Sequence, residues 1–212
     1  MKKIMFSERY GLEQAVLAGT KTMTRRIIPI DLYNQTDWKA VVEGDFEAVV
    51  DGEGYYHDIR NCGKYRVGEE VAIAQNYKTC WDYYKAQWES RNDPSDWHTP
   101  DAMLGDAVEE TKGYRNKMFV KAEYMPHRIR ITDIKVERLQ DITEQECICE
   151  GIKIKKGNRN GERPFGEFTF DGWDDYSFTA REAFSALIDR ISGRGTWQSN
   201  PWVYVYTFEL IK

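Results

Sequence analysis

At 212 residues the chain has room for one well-packed domain, or at most two small ones. A net charge of −5 and a pI near 5.4 argue against a large electrostatic footprint on duplex nucleic acid, while leaving room for a basic cleft on an acidic body. No stretch is apolar enough to cross a membrane, no apolar run follows Lys2-Lys3, and four cysteines fit free thiols better than a disulfide framework, so a cytoplasmic protein is expected.

The first predicted element is a strand at Ile4-Met5-Phe6. A helix follows from about Arg9 to Ala18, with Leu12, Ala15 and Val16 as its apolar stripe and Gly19 as its stop. Thr22 to Ile28 reads as extended until Pro29. Residues 30–62 look like an elaboration. In it, Ala40-Val41-Val42 and Ala48-Val49-Val50 flank Glu43-Gly44-Asp45 in the manner of a hairpin. Tyr65 to Glu69 is a turn into a strand carrying Val71 and Ile73 on one face.

Residues 77–116 hold Trp81, Trp88 and Trp97 among charges, with Asn92-Asp93-Pro94-Ser95 as a breaker. They read as a second insertion of some helix and a long loop, either a lid or a solvated excursion anchored by aromatics. A strand from about His127 to Leu139 carries Ile129 and Ile131 in one phase and Ile134 and Val136 in the other, which predicts a bulge near Thr132-Asp133.

Thr143 and Glu146 form a capping box, stapled by Ile142 and Cys147 and ended by Gly151. Thr179 and Glu182 open another helix, whose apolar face is Ala183, Phe184, Leu187, Ile188 and Ile191. Between them, Lys153 to Gly172 reads as a mobile, charged loop. The last strand puts Trp202, Tyr204, Tyr206, Phe208 and Leu210 on one face and Val203, Val205 and Thr207 on the other, which suits a strand buried on both sides. The whole predicts an α+β fold, a small mixed β-barrel with two or three short helices and surface insertions. No phosphate-binding glycine loop occurs, and Cys147, Cys149 and three scattered histidines (His57, His98 and His127) make no zinc pattern.

The densest chemistry lies in Leu17-Ala-Gly-Thr-Lys-Thr-Met-Thr-Arg-Arg26. A cation and a hydroxyl set three apart, Lys21 and Thr24, beside a helix-ending glycine can cradle an anion or form a nucleophile–base pair. In a regular strand residues three apart point to opposite faces, so cooperation requires a turn or bulge between them.

Gly19-x-Lys21-x-x-Thr24-x-Arg26 resembles the G-x-K-x-x-(E or T)-x-R signature of the ASCH domain family, whose fold is a PUA-like β-barrel. Tyr65-x-Val67-Gly68-Glu69-x-Val71 resembles the family's turn into its second core strand. Val136 to Thr143, running on to Glu150-Gly151-Ile152, resembles its strand-to-helix segment. Ala183-Phe184-x-x-Leu187-Ile188 and Gly195-Thr196-Trp197-x-x-Asn200-Pro201-Trp202 resemble the end of phage-type and related bacterial members. The resemblance implies a single domain over residues 1–212, with insertions at about 30–62, 77–116 and 153–177.

It also implies a partner that is RNA or a modified nucleoside. One bacterial branch hydrolyses the amide of N4-acetylcytidine, and matching its residues puts catalysis on Lys21 as base, Thr24 as nucleophile and Glu150 as proton donor. Glu150 lies in the last turn of its helix, where the macrodipole disfavours a negative charge. Gly19, Arg25, Arg26 and Gln75 would bind substrate, Gln75 standing where many phage-type members carry Glu. That chemistry needs no metal or cofactor.

Two other readings stay open. In one, the chain binds RNA without chemistry, through Lys21, Arg25, Arg26, Arg128 and Arg130 on phosphate and rings such as Trp81 or Trp197 on bases. In the other, insertion 77–116 docks a protein partner.

Overall fold

The computed structural model describes residues 1–44, 47–91, 116–156 and 166–211. In chain order the elements are β1 (Lys3–Ile4), α1 (Leu12–Leu17), β2 (Met23–Ile27), α2 (Ile30–Asn34), α3 (Trp38–Glu43), β3 (Val49–Val50), β4 (Tyr56–His57), β5 (Glu70–Ile73), α4 (Tyr77–Arg91), β6 (Arg128–Arg138), α5 (Glu144–Cys149), β7 (Lys153–Lys156), β8 (Gly166–Thr169), α6 (Ala180–Ser192), α7 (Thr196–Ser199) and β9 (Trp202–Ile211). The fold is mixed α+β. Its main sheet is five-stranded and mixed, in the order β1-β5-β6-β9-β2. β1 and β2 are its end strands, so the ladder is an open sheet where a closed barrel was expected.

The chain forms two compact units, each assembled from separated segments: Met1–Phe6, Glu70–Arg130 and Leu210–Lys212 in the first, Ser7–Glu69 and Ile131–Glu209 in the second. In the first unit, β1 runs parallel to β5 (Lys3 opposite Ala72), and β5 pairs antiparallel with the start of β6 (Val71 opposite Ile129). Val71, Ala72 and Ile73 are all buried, so β5 is covered on both faces. Ala72, Ala74, Cys80, Val120 and Met125 form a core, against which Tyr77, Trp81 and Tyr84 of α4 pack. Trp81 is therefore a packing residue with Lys85 over its ring, not an open stacking platform. The breaker at residues 92–95 and Trp97 lie outside the described residues, as does the rest of insertion 77–116 up to residue 115.

In the second unit, β2 pairs antiparallel with β9 from Met23 opposite Thr207 to Ile27 opposite Val203. Both faces of β9 are buried, as its sequence predicts. The reason is a covering layer, not a closed barrel. Trp202 stacks on Trp38 of α3 with centroids 4.6 Å apart, and the Tyr204 hydroxyl donates to the Ile59 carbonyl at 2.9 Å. Tyr65 packs edge-on against Tyr206. The segment 30–62 is thus structural cover, with Val41, Ala48, Val49 and Ile59 in its own core.

The hairpin read across residues 40–50 is corrected. Asp37 caps α3 by accepting from Lys39 and Ala40 N–H groups, so Ala40, Val41 and Val42 are helical, and the hairpin lies further on, between β3 and β4. The loop read over 153–172 is corrected as well. β7 and β8 pair there with Ile154 opposite Phe168, and residues 157–165 between them lie outside the described set. In β6 the burial pattern slips phase at Thr132-Asp133, two consecutive exposed residues between buried Ile131 and Ile134.

The capping box at Thr143 and Glu146 is formed in full. Thr179 caps α6, whose Ala183, Phe184, Leu187 and Ile188 are buried at roughly 1.5–3 kcal/mol for each large side chain. Ile191 is exposed, because the apolar stripe rotates out of the core in the last turn.

Candidate functional site

The site is built where α1, β2, α5 and β6 meet in the second unit. Gly19, at φ 73°, reverses the chain after α1 in a conformation that suits glycine, and the Thr20 and Lys21 N–H groups both return to the Ala15 carbonyl. Thr22 N–H then donates to Cys149 O at the end of α5, and the Thr22 carbonyl accepts from Phe208 N–H of β9. These bonds turn the Lys21 side chain inward, where it is 2% exposed. Gly19 itself is exposed and serves the turn.

The Lys21 Nζ donates to three oxygens, each at 2.7 Å: Met23 O, Glu150 O and Glu150 Oε2. An ammonium has three protons, so this set occupies all of them. Burial is the largest influence on the amine and lowers its proton affinity below the ordinary lysine value of 10.5. Glu150 pulls the other way, and the charges of Arg26 and Arg25 add to the lowering.

Lys21 lies ahead of β2, and its side chain curls back to the carbonyl of the Met23–Thr24 peptide. Thr24 sits opposite Tyr206 in the ladder and is 3% exposed. Among the described residues its hydroxyl has no hydrogen-bond partner, and the one fully enclosed side-chain donor left without a partner is the Trp202 indole N–H. The Thr24 oxygen is therefore unpartnered without being sealed.

Arg25 points to the face of β2 away from Thr24 and Arg26. The sequence offered it to substrate, but the fold offers it to carboxylates. Its Nε and Nη2 donate to Glu137 Oε1 at 3.1 and 2.6 Å, Nη2 also donates to Glu146 Oε2 at 3.1 Å, and Nη1 donates to Glu150 Oε1 at 3.1 Å. Burial works against this guanidinium, yet Glu150, Glu137 and Glu146 together raise its proton affinity. Lys135 closes the outer side, with Nζ at 2.6 Å from Glu146 Oε1 and 2.7 Å from Glu137 Oε2. Burial would raise the Glu146 carboxyl, but hydrogen bonds from Lys135 and Thr143 and the nearby cations bring it down to about 2. Lys21, Arg25 and Lys135 thus meet Glu137, Glu146 and Glu150, so positive and negative charges match.

Of the residues proposed from sequence, Lys21, Glu150 and Arg25 share one bonded network, and Thr24 adjoins it through the Met23–Thr24 peptide. Both carboxyl oxygens of Glu150 accept from cations, so in this geometry it anchors the amine. Gln75 belongs to the first unit, where it is buried and bonded to His127 Nδ1 at 2.9 Å. Arg130 pairs with Glu70, and Trp197 packs edge-on against Phe184.

The sequence reading missed Glu137 and Lys135, and saw Glu146 only as a helix cap. The available signal was the i, i+2 spacing of Lys135 and Glu137, which shares one strand face. Among the described residues no histidine, cysteine and carboxylate cluster has the makings of a metal site. No protein-family model, no curated protein and no solved structure matches this chain.

Proposed function

We propose that this chain is an ASCH-type, PUA-like protein that hydrolyses the amide of an N4-acylated cytidine or a related modified nucleoside, with Thr24 as nucleophile and Lys21 as base. The observation that carries the reading is the Lys21 amine, buried, depressed in proton affinity and held 2.7 Å from the carbonyl of the Met23–Thr24 peptide. A buried lysine with weakened proton affinity is the kind that serves as a general base.

The Lys21 amine, once neutral, takes the Thr24 hydroxyl proton as Thr24 Oγ1 bonds to the acyl carbon. The carbonyl electron pair moves onto its oxygen, which Arg26, on Thr24's face of β2, stabilises. When the oxyanion collapses, the C–N bond breaks and the leaving nitrogen takes the proton back from Lys21, releasing the free amine and leaving an ester on Thr24. Water then attacks the ester carbon and gives its proton to Lys21. The ester C–O bond breaks, Thr24 recovers its proton, and the carboxylic acid leaves. Glu150 fixes the amine throughout and stays an acceptor.

Purified protein incubated with N4-acetylcytidine should yield cytidine and acetate in equal amounts. Thr24→Ala should abolish turnover and Thr24→Ser should keep part of it. Turnover unchanged in Thr24→Ala would remove the mechanism, and no turnover on any acylated cytidine would remove the activity.

One feature favours a second reading, a binding module without chemistry. The balanced network of three cations and three carboxylates is also what a purely structural ion cluster needs. In that case RNA should bind at low salt, with affinity falling steeply as salt is added and no product released.

A further inference from the structure

We infer that Arg25 is a positioning residue: clamped by Glu137 and Glu146, it draws one oxygen of Glu150 to itself and so sets how firmly the Lys21 amine holds its proton. The inference concerns the same site as the hydrolase reading, and takes its catalytic meaning from that reading.

The geometry is a shared carboxylate. Glu150 Oε1 accepts from Arg25 Nη1 at 3.1 Å while Oε2 accepts from Lys21 Nζ at 2.7 Å. Two cations on one carboxylate repel each other, and each takes part of the stabilisation that the other would have alone. Arg25 cannot move aside to relieve this. Its side chain is 1% exposed, and its Nε and Nη2 groups are held by Glu137 on β6 and Glu146 on α5. Glu146 and Glu150 lie four apart, on one face at the helix end, so one planar fork reads both. Glu146 is fixed in turn by its own capping box with Thr143 and by Lys135.

The charged groups facing Lys21 are Glu150 at the end of α5 and Arg25 and Arg26 on β2. The neighbouring elements add Glu13, buried on α1, and Tyr206 on β9 across from Thr24. Among these, Arg25 has bonds that tie the electrostatics of Lys21 to the placement of two other elements. A lysine at position 25 keeps the charge but loses the fork, which separates positioning from simple charge.

The test is an NMR titration of lysine side chains labelled at Cε and Nζ, with the Lys21 signal identified by its loss in Lys21→Arg. Arg25→Gln should raise the Lys21 midpoint by about one unit or more, because Glu150 then serves Lys21 alone. Arg25→Lys should also raise it, by about half as much, although charge is conserved. Should Arg25→Gln fail to fold, Glu137→Leu removes two of the Arg25 bonds. Arg25 then turns further toward Glu150, and the midpoint should fall by about half a unit.

An Arg25→Lys midpoint equal to wild type would overturn the inference, as would an unmoved midpoint in Glu137→Leu. The titration needs no substrate. Shifted midpoints without nucleoside turnover keep this inference and sink the hydrolase, whereas turnover with unmoved midpoints does the reverse.

Discussion

Glu150 offers Lys21 two acceptors at once, its backbone carbonyl and its Oε2, both 2.7 Å from the same Nζ. The carbonyl is one of those that a helix end leaves without an intrahelical partner, so the lysine also caps α5. One ammonium therefore finishes a helix, neutralises a buried carboxylate and reaches the peptide of the candidate nucleophile.

Lys21→Arg separates those tasks. Arginine keeps the charge and can still bond Glu150, but it does not deprotonate near neutral pH. Nucleoside turnover should fall by about 10²-fold or more, the usual worth of a general base, while the urea midpoint moves far less than in Lys21→Met. Turnover of Lys21→Arg near that of wild type would remove the base from the scheme.

The pH dependence has a defined sign. Folding lowers the proton affinity of Lys21, so between its folded and unfolded midpoints the unfolded chain binds more protons, and stability rises with pH across that window. Under the proposed mechanism turnover should rise with pH along the same limb, because that mechanism requires the neutral amine. Urea unfolding and initial rates measured from pH 6 to 10.5 check both. A rate that falls as pH rises through this range would contradict the assignment.

Glu146 gives the opposite case. Its carboxyl titrates at about 2 in the folded protein against 4.5 ordinarily, so the stability it adds is complete above the ordinary value and is lost as pH falls through the folded one. Glutamine preserves the capping box but not the charge. Glu146→Gln should therefore flatten the acid limb of stability between pH 4.5 and about 2, by on the order of 1–2 kcal/mol after allowance for partial exposure, as read by urea unfolding at several pH values.

Gly151→Ala and Gly63→Ala probe packing around the Lys21 stem and around the rings of β9. At Gly151, φ is 104°, and an added Cβ would meet Leu12 Cδ2 at 3.0 Å and Lys21 Cδ at 3.6 Å. Backbone strain and displacement of the Lys21 stem should together lower turnover along with stability. At Gly63 the added carbon would lie 2.5 Å from the Tyr206 hydroxyl and 3.2 Å from Tyr204 Cζ. The expected cost there is about 1–3 kcal/mol by thermal or urea unfolding, since two rings of β9 must shift.

The local punctuation of this fold was readable in the chain. The Thr143–Glu146 box, the Gly19 stop and the two-sided burial of β9 follow from short-range rules in which one residue type meets one backbone demand. The hairpin assigned to residues 40–50 failed because Val41 and Val42 fit helix or strand alike, and the capping Asp37 that decides between them stands earlier in the chain. The strands β7 and β8 were hidden in a charged stretch, since Lys153, Lys155 and Lys156 mask the single apolar pair, Ile154 and Phe168.

At the site, adjacency in sequence identified the donors: a lysine, a hydroxyl and two arginines within six residues of one another, after a helix-ending glycine. It did not identify their partners. Glu137, Glu146 and Glu150 come from a strand and a helix more than a hundred residues away, and each carboxylate by itself is indistinguishable from a solvated one. Sequence sets which groups are charged and how the local backbone turns. Which charges lose water and must therefore find each other is set by packing, and only the folded chain decides it.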